Sequence, residues 1–232
     1  MKKHIIFSLG AGIAIPFVFF GTIIMASLFY PGYSHYRQFA SELGAGFAPH
    51  PWIYNTGVTL RGAAEIIAAY GFLRVFRKLK LNPVLGVMAV TIVCISGISA
   101  LLSAHYNFPD PRHRAYGLQA AIVIGPVLFA ATLRRISEAR CLVIFLLVNN
   151  ILLFLTYLLS AASDNIGLMQ RLRFLFSFPW VAICAYWLLS YVRKMPPNAA
   201  LAPCESKSLT QSVLLRRSAQ RDAGNSERST RR

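Results

Sequence analysis

Two charged side chains lie within a long apolar block of the chain, where ionisable groups are rare, costly and usually functional. They are Arg61 and Glu65, four residues apart, so a helix would place both on one face. At about 1.5 Å per residue, Glu65 lies roughly 16 Å from the outer end of that helix. Asn149 and Asn150 of a later block lie at a similar depth in the membrane. The spacing predicts an intramembrane polar cluster. It is either a functional site or an Arg–Glu pair that only fixes helix packing.

Histidine and carboxylate side chains, which together bind metal ions or exchange protons, recur in the connections after the first, third and fifth apolar blocks. The candidate residues of this outer-face site are His35, Glu42, His105, Asp110, His113 and Asp164. Their spacing matches no metal-binding motif, so the simpler interpretation is loop residues that cap helices and meet lipid head groups. Haem is disfavoured, since no block has a histidine near its middle. The sequence leaves metal content and any other cofactor open.

The apolar blocks decide the fold class. Of 232 residues, 56% are hydrophobic and 14% are charged, whereas soluble domains carry about 25% charged residues. Blocks of about 20 apolar residues match a hydrocarbon core of about 30 Å, and in lipid such blocks form helices. The sequence therefore predicts an all-α fold, an integral membrane bundle of about six transmembrane helices within residues 1–193. The predicted spans are 5–30, 54–75, 83–104, 115–133, 141–161 and 173–192.

The basic residues are distributed unequally between the two sides of this bundle. Eighteen of the 24 Lys and Arg residues lie at the N-terminus, in the second and fourth connections, and in the tail. Only five lie in the first, third and fifth connections: Arg37, Arg112, Arg114, Arg171 and Arg173. By the positive-inside rule, the chain is predicted to sit in the inner (plasma) membrane with both termini in the cytoplasm.

The tail, residues 194–232, is basic and rich in Ser, Arg, Ala and Pro. It has almost no periodic apolar residues, so we predict that it is disordered and attracted to anionic lipids. The net charge of +16 would also suit nucleic acid, but most charges flank apolar blocks and act as topology signals. Membrane lipids are thus the expected partners. Neither nucleic acid nor a protein partner is indicated.

Two further stretches carry residues at helical spacing. In the third span, small residues indicate a face for close packing against another helix: Ser96, Ser99, Ala100 and Ser103. In the first connection, Ser34 would cap a helix that Gly44 ends. The apolar face of that helix would consist of Tyr36, Phe39, Ala40 and Leu43. We predict that it lies along the membrane surface, where it would cover the outer histidines.

Three short motifs connect the chain with a known family. Ser41-Glu42-Leu43-Gly44 follows the first span, Asn55-Thr56-Gly57 opens the second, and Phe108-Pro109-Asp110, with His113 nearby, precedes the fourth. With these motifs the chain resembles, over residues 5–193, a bacterial family of multi-pass membrane proteins, domain of unknown function 998. The resemblance implies a six-span architecture and directs attention to the outer loops. It implies no reaction.

These patterns favour a polytopic membrane protein with a small polar site that opens outward and binds a lipid head group or a small solute. Two alternatives remain open. One is a membrane hydrolase that uses His35, His105, His113 and Asp110 around a metal ion. The other is a transporter in which Glu65 is the intramembrane carrier group.

Overall fold

The computed structural model describes residues 3–160 and 163–194, apart from three side chains in the segment 111–124. In these ranges the chain is helical and contains no strand. Its α-helices are α1 (Lys3–Leu28), α2 (Pro51–Lys78), α3 (Pro83–His105), α4 (Gly125–Leu133), α5 (Arg140–Ser160), α6 (Ile166–Ser177) and α7 (Pro179–Lys194). Short 3₁₀ segments cover Ala40–Gly44, Pro111–Ile124 and Ser137–Ala139. The predicted disordered tail and the end of the predicted fifth span lie outside the described residues.

The fold is an all-α membrane bundle, as the sequence predicts. Four helical segments are long and apolar enough to cross a bilayer: Lys3–Leu28, Pro83–His105, Ser137–Ser160 and Ile166–Lys194. A fifth apolar helix, Ala120–Leu133, is shorter. Helix α2 has 28 residues, ample length for a span, but it carries Arg61 and Glu65 in its middle and is less apolar than the other four.

Two predicted spans differ from the observed helices, and glycine and proline explain both differences. The span predicted for 115–133 becomes α-helical only at Gly125, because Gly117 has a positive φ of 81° that no α-helix accommodates. The span predicted for 173–192 is two helices that meet at Phe178. Pro179 has no N–H to donate, so a new helix starts there.

The predicted surface helix over residues 34–44 is wrong at its start. Only Ala40–Gly44 is helical, as a 3₁₀ turn, and Tyr36 of the supposed apolar face is 63% exposed. The Glu42 carboxylate accepts a hydrogen bond from the backbone N–H of Phe39 at 2.8 Å, and Phe39 itself is extended. A capping contact at Phe39 therefore begins the helix five residues later than Ser34.

The helices follow one another around the bundle, and α1 closes it by packing on both α2 and α7. Helices α2 and α3 approach most closely at Gly62 and Gly97, where a Cβ on either glycine would lie 2.7 Å from the other's carbonyl oxygen. This approach places Arg61 and Glu65 beside α3. We call the end formed by residues 29–50, 106–110 and 163–165 the loop end. There the rings of Phe39 and Phe47 lie near that of Phe108, and the backbone N–H of Leu168 donates to the carbonyl oxygen of Tyr36.

Candidate functional site: an arginine-lined cavity

A cavity of about 780 Å³ occupies the middle of the bundle toward the loop end. Ligand pockets commonly measure about 300–1,000 Å³ and have mostly apolar walls with a few polar groups. Helices α1, α2, α3, α5 and α6 and the segment Pro111–Ile124 all contribute to its wall. Three arginines line it: Arg61, Arg114 and Arg173. The cavity therefore combines an apolar wall with concentrated positive charge.

Arg61 is held in the wall by aromatic rings. Its guanidinium carbon lies 4.4 Å from the ring centre of Phe178 and 5.1 Å from that of Phe19, although the residue is only 8% exposed. The negative faces of the two rings attract the guanidinium charge without using its N–H groups as hydrogen-bond donors to a polar atom. The buried Nε has no hydrogen-bond partner within the described ranges.

Glu65 provides the countercharge. Its Oε1 lies 3.5 Å from Nη1 of Arg61, one helical turn away, and the residue is 1% exposed. This confirms the local pairing expected from the spacing of four. Glu65 does not itself line the cavity, but it forms an ion pair with Arg61, which does. Nothing in the structure tests a carrier role for it.

The two asparagines of the predicted polar cluster lie elsewhere. Nδ2 of Asn149 donates to the backbone carbonyl of Phe176 at 2.9 Å, near the end of α6. Oδ1 of Asn150 is buried and finds no partner in the described part of the chain. No hydrogen bond or ion pair between described residues joins either asparagine to Arg61 or Glu65. Asn149 thus contacts the end of α6, two residues before the Phe178 ring on which Arg61 packs.

Arg173 is the cation that sequence reasoning missed. Its guanidinium carbon lies 4.1 Å from the ring centre of Tyr157, and Nη2 donates to the Ser160 hydroxyl at 2.6 Å. Its buried Nε lacks a hydrogen-bond partner among the described residues. Within those residues the ion pairs are Arg61–Glu65 and Arg112–Asp110, so no carboxylate there neutralises Arg173. This side chain lines the cavity.

Of the predicted outer-face residues, Asp110 and His113 line the cavity, whereas His35, Glu42, His105 and Asp164 do not. Asp110 is bound by its neighbour Arg112, whose Nη2 donates at 2.7 Å, and these hydrogen bonds lower the pKa of Asp110 to about 2. Nδ1 of His113 lies 2.8 Å from the carbonyl oxygen of Tyr106, while His105 and Asp164 are exposed. Among the residues that the structure describes, no three His, Cys, Asp or Glu side chains are grouped closely enough to hold a metal ion. The metal hydrolase hypothesis gains no support from this arrangement.

The first connection docks on α6 through Arg171. This side chain donates to the carbonyl oxygens of Gln38 and Gly167 at 2.9 and 2.7 Å, to Nδ1 of His35 at 3.1 Å, and to the Tyr33 hydroxyl. Burial and, to a smaller extent, the Arg171 charge lower the pKa of His35 and so favour the neutral ring. Only a neutral ring can accept the hydrogen bond from Arg171. We call these side chains, Tyr33, His35 and Arg171, the loop clamp.

The loop clamp fixes one wall of the cavity. Directly beside it, the side chain of Gln170 accepts a hydrogen bond from the backbone N–H of Ala40 at 2.7 Å. Both Gln170 and the adjacent Ser41 line the cavity. The first connection therefore covers the arginine-lined cavity, whose wall includes one of the predicted outer histidines, His113.

The three motifs behind the family resemblance meet at this same place. Nδ2 of Asn55 donates to the carbonyl oxygen of Gly44 at 2.9 Å and to Oδ1 of Asn107 at 3.0 Å, so it bridges the first connection and the third. The ring of Phe108 lies 6.5 Å from that of Phe39, and both line the cavity. Motifs far apart in sequence thus meet at the loop end, beside the cavity.

The family model for a protein of unknown function (DUF998) matches residues 13–187. The chain belongs to this family. No curated protein and no solved structure gives a significant match to it. The resemblance inferred from the three motifs is confirmed, and the matched range includes every residue of this DUF998 protein that lines the cavity.

A signal for the missed residues was present in the charge distribution. The DUF998 chain has few basic residues in its first, third and fifth connections, and two of them, Arg114 and Arg173, line the cavity, while Arg171 forms the loop clamp. Arginines that defy the positive-inside pattern need another reason to be there. The predicted packing face of α3 serves two purposes. Ala100 packs near Gly62, whereas Ser96, Ser99 and Ser103 line the cavity.

Proposed function

We propose that the protein is a polytopic plasma-membrane protein that binds the anionic group of a lipid head group or small solute in the arginine-lined cavity. The observation that carries this proposal is the partly buried Arg173, whose charge no carboxylate of the described residues neutralises. A charged group withdrawn from water needs a counterion. A phosphate or carboxylate supplies that counterion and accepts hydrogen bonds from the N–H groups of a guanidinium.

Arg61, which also lines the cavity, supports the same proposal of an anionic ligand. Glu65 neutralises the charge of Arg61, so Arg61 adds no second uncompensated charge among the described residues. The Nε–H of Arg61 has no partner in those residues and can donate a hydrogen bond to a ligand. A ligand carrying one negative charge would leave the cavity neutral apart from the exposed Arg114. Ser99, whose buried hydroxyl also lacks a partner in the described ranges, provides a further hydrogen-bonding group.

The binding assay uses the purified full-length protein in a neutral maltoside detergent. The probes are inorganic phosphate, glycerol 3-phosphate and dihexanoyl phosphatidylglycerol, titrated by calorimetry into wild type, Arg173→Gln and Arg193→Gln. Arg193 is an exposed arginine at the end of α7 that does not line the cavity, which makes it a matched control. A hydrogen bond to a charged group is worth about 1.5–3 kcal/mol, so we expect Arg173→Gln to weaken binding at least about tenfold.

The wild type and Arg193→Gln should bind at least one probe with equal affinity. The proposal is refuted if none of the three anions binds wild type, or if the two arginine variants weaken binding equally.

The side of the membrane on which the cavity opens is part of the proposal. Few basic residues in the connections of the loop end, together with the basic clusters of the opposite connections, support an outward-facing loop end and cytoplasmic termini. Reporter fusions after Lys80, after Glu138 and at the C-terminus should all report the cytoplasm. A periplasmic signal from the C-terminal fusion would contradict the six-span arrangement.

A further inference from the structure

We infer that the ligand of this cavity is an anionic amphiphile, a molecule with one phosphate or carboxylate joined to an apolar body and without an ammonium group. This inference rests on the proposed function and narrows it to a chemical class. It excludes both free inorganic anions and zwitterionic lipids as the preferred ligand.

The shape and lining of the cavity require the apolar body. A free phosphate would satisfy the arginines and leave most of the 780 Å³ to be filled by water against phenylalanine rings. Phe39 and Phe108 line the rim, whereas Phe19, Phe174 and Phe178 line the deeper part around Arg61. Covering such surface is favourable at about 25 cal/mol per Å² of apolar area. A ligand with an apolar body therefore gains free energy that a small anion cannot.

The aromatic rings beside the arginines disfavour an ammonium group. Aromatic cages bind quaternary ammonium through the open faces of their rings. Here the guanidinium of Arg61 lies over the rings of Phe19 and Phe178, and that of Arg173 lies over Tyr157, so each of these rings already has a cation on one face. A choline or ethanolamine head group would instead meet like charges.

The carboxylate that lines the cavity offers no alternative site for an ammonium group. Asp110 accepts hydrogen bonds from Nε and Nη2 of Arg112 and from its backbone N–H, which engages both carboxylate oxygens. Glu65, the other nearby acid, is buried behind Arg61 and does not line the cavity. The charge balance of the lining therefore favours a net anion over a zwitterion.

The inference is tested by calorimetric titration of the full-length protein in neutral detergent with four probes. Dihexanoyl phosphatidylglycerol represents an anionic membrane lipid, and hexyl phosphate a soluble anionic amphiphile. Dihexanoyl phosphatidylcholine adds an ammonium group to the same lipid body, and glycerol 3-phosphate lacks the apolar body. We expect at least one of the two anionic amphiphiles to bind at least tenfold more tightly than both of the other probes.

A pair of phenylalanine variants tests the apolar contact separately. Phe108→Ser removes a rim ring that lines the cavity, whereas Phe29→Ser removes a half-exposed ring outside it. Only Phe108→Ser should weaken amphiphile binding, and neither variant should change the affinity for glycerol 3-phosphate. Tighter binding of phosphatidylglycerol than of hexyl phosphate would identify the ligand as a membrane lipid. Tighter binding of hexyl phosphate would identify it as a soluble amphiphile. Either result supports an anionic amphiphile as the ligand.

The failure of this inference is distinguishable from failure of the proposed function. If glycerol 3-phosphate binds as tightly as both amphiphiles, the cavity is an anion site and the apolar requirement is overturned. Equal affinity for phosphatidylcholine and phosphatidylglycerol overturns the exclusion of zwitterions. If no anionic probe binds at all, the proposed function itself is lost.

Discussion

The two halves of the bundle are built from the same helices and differ in what fills their middle. Toward the loop end, α2 contributes Arg61 to a hollow space. Eleven residues later, about 16 Å along the helix axis, it contributes Phe72 to a solid aromatic cluster. There the rings of Phe72, Phe129 and Trp180 are fully buried, and Phe129 lies 4.9 Å from Phe72 and 5.1 Å from Trp180. One half is closely packed, and the other encloses a cavity whose wall includes Arg173, a charge that no carboxylate of the described residues neutralises.

This difference teaches where function and stability reside. A close-packed interior loses free energy when any ring is truncated, because the vacated space has no other occupant. An uncharged side chain in the cavity wall, in contrast, already borders empty volume, so its truncation opens little new space. The comparison therefore predicts that truncations in the aromatic cluster destabilise the fold, whereas substitutions in the cavity wall, apart from the buried Arg61–Glu65 pair, mainly weaken ligand binding.

Truncation of the aromatic cluster should have the largest effect on stability. We expect Phe129→Ala to lower the free energy of unfolding by about 3–5 kcal/mol, the usual cost of deleting a buried aromatic ring. Thermal melts in detergent, followed by tryptophan fluorescence, measure this. Ser99→Ala in the cavity wall is the control and should melt within a degree or two of wild type. Similar losses for both variants would remove the distinction between the halves.

The Arg61–Glu65 pair should show strong energetic coupling. Removing one charge leaves the other buried without its partner, at a cost of about 3–5 kcal/mol, whereas removing both avoids that cost. The measurement is a double-mutant cycle of Arg61→Leu, Glu65→Leu and the combination. Simple additivity of the two single effects would show that the charges, although 3.5 Å apart, do not act as a pair.

A smaller effect is expected where the loop end closes on α6. A Cβ at Gly167 would lie 2.7 Å from the carbonyl oxygen of His35, so Gly167→Ala must push the first connection away. Overpacking of this kind costs about 1–3 kcal/mol. Faster hydrogen exchange across residues 34–44 would report it. Gly46→Ala, where a Cβ has open space around it, should leave exchange unchanged.

The loop clamp should loosen at low pH. The pKa of His35 is lowered in the folded state, so the unfolded chain binds its proton first as the pH falls. The contribution of the loop clamp to stability is therefore present above about pH 6.5, the ordinary pKa of histidine, and is lost as the pH falls below it. Hydrogen exchange of residues 34–44 at pH 7.5 and 5.5 measures the change. His35→Gln should flatten this dependence, whereas His105→Gln, at an exposed position, should not.

Truncation of the tail should have the smallest effect on stability. This prediction comes from the sequence alone. The segment beyond residue 194 has no apolar face to bury, so truncation after Pro197 should leave membrane insertion and the melting temperature unchanged. A large loss of folded protein would show that the tail packs on the bundle.

The helices and one polar pair were predictable because their causes are local. Apolar blocks of bilayer length become helices, since lipid leaves the backbone no other hydrogen-bond partners. Arg61 and Glu65 meet because positions four apart share a helix face, whatever surrounds them. The errors came from local breaks with tertiary consequences: Gly117 delays α4, Pro179 divides the last span, and the Glu42 cap shortens the first-connection helix.

The cavity was decided by the tertiary structure alone. Arg171 reaches Gln38 and Gln170 reaches Ala40 across about 130 residues of chain, and no periodicity within one segment specifies such a contact. Lipid is as apolar as leucine, so the hydrophobic pattern that identifies a span does not determine which helix lies beside it. Close approach at Gly62 and Gly97, stacking at Phe178 and the loop clamp make those choices. The sequence by itself determined a helical membrane protein with one buried ion pair, and only the packing of its helices turned scattered arginines into a site.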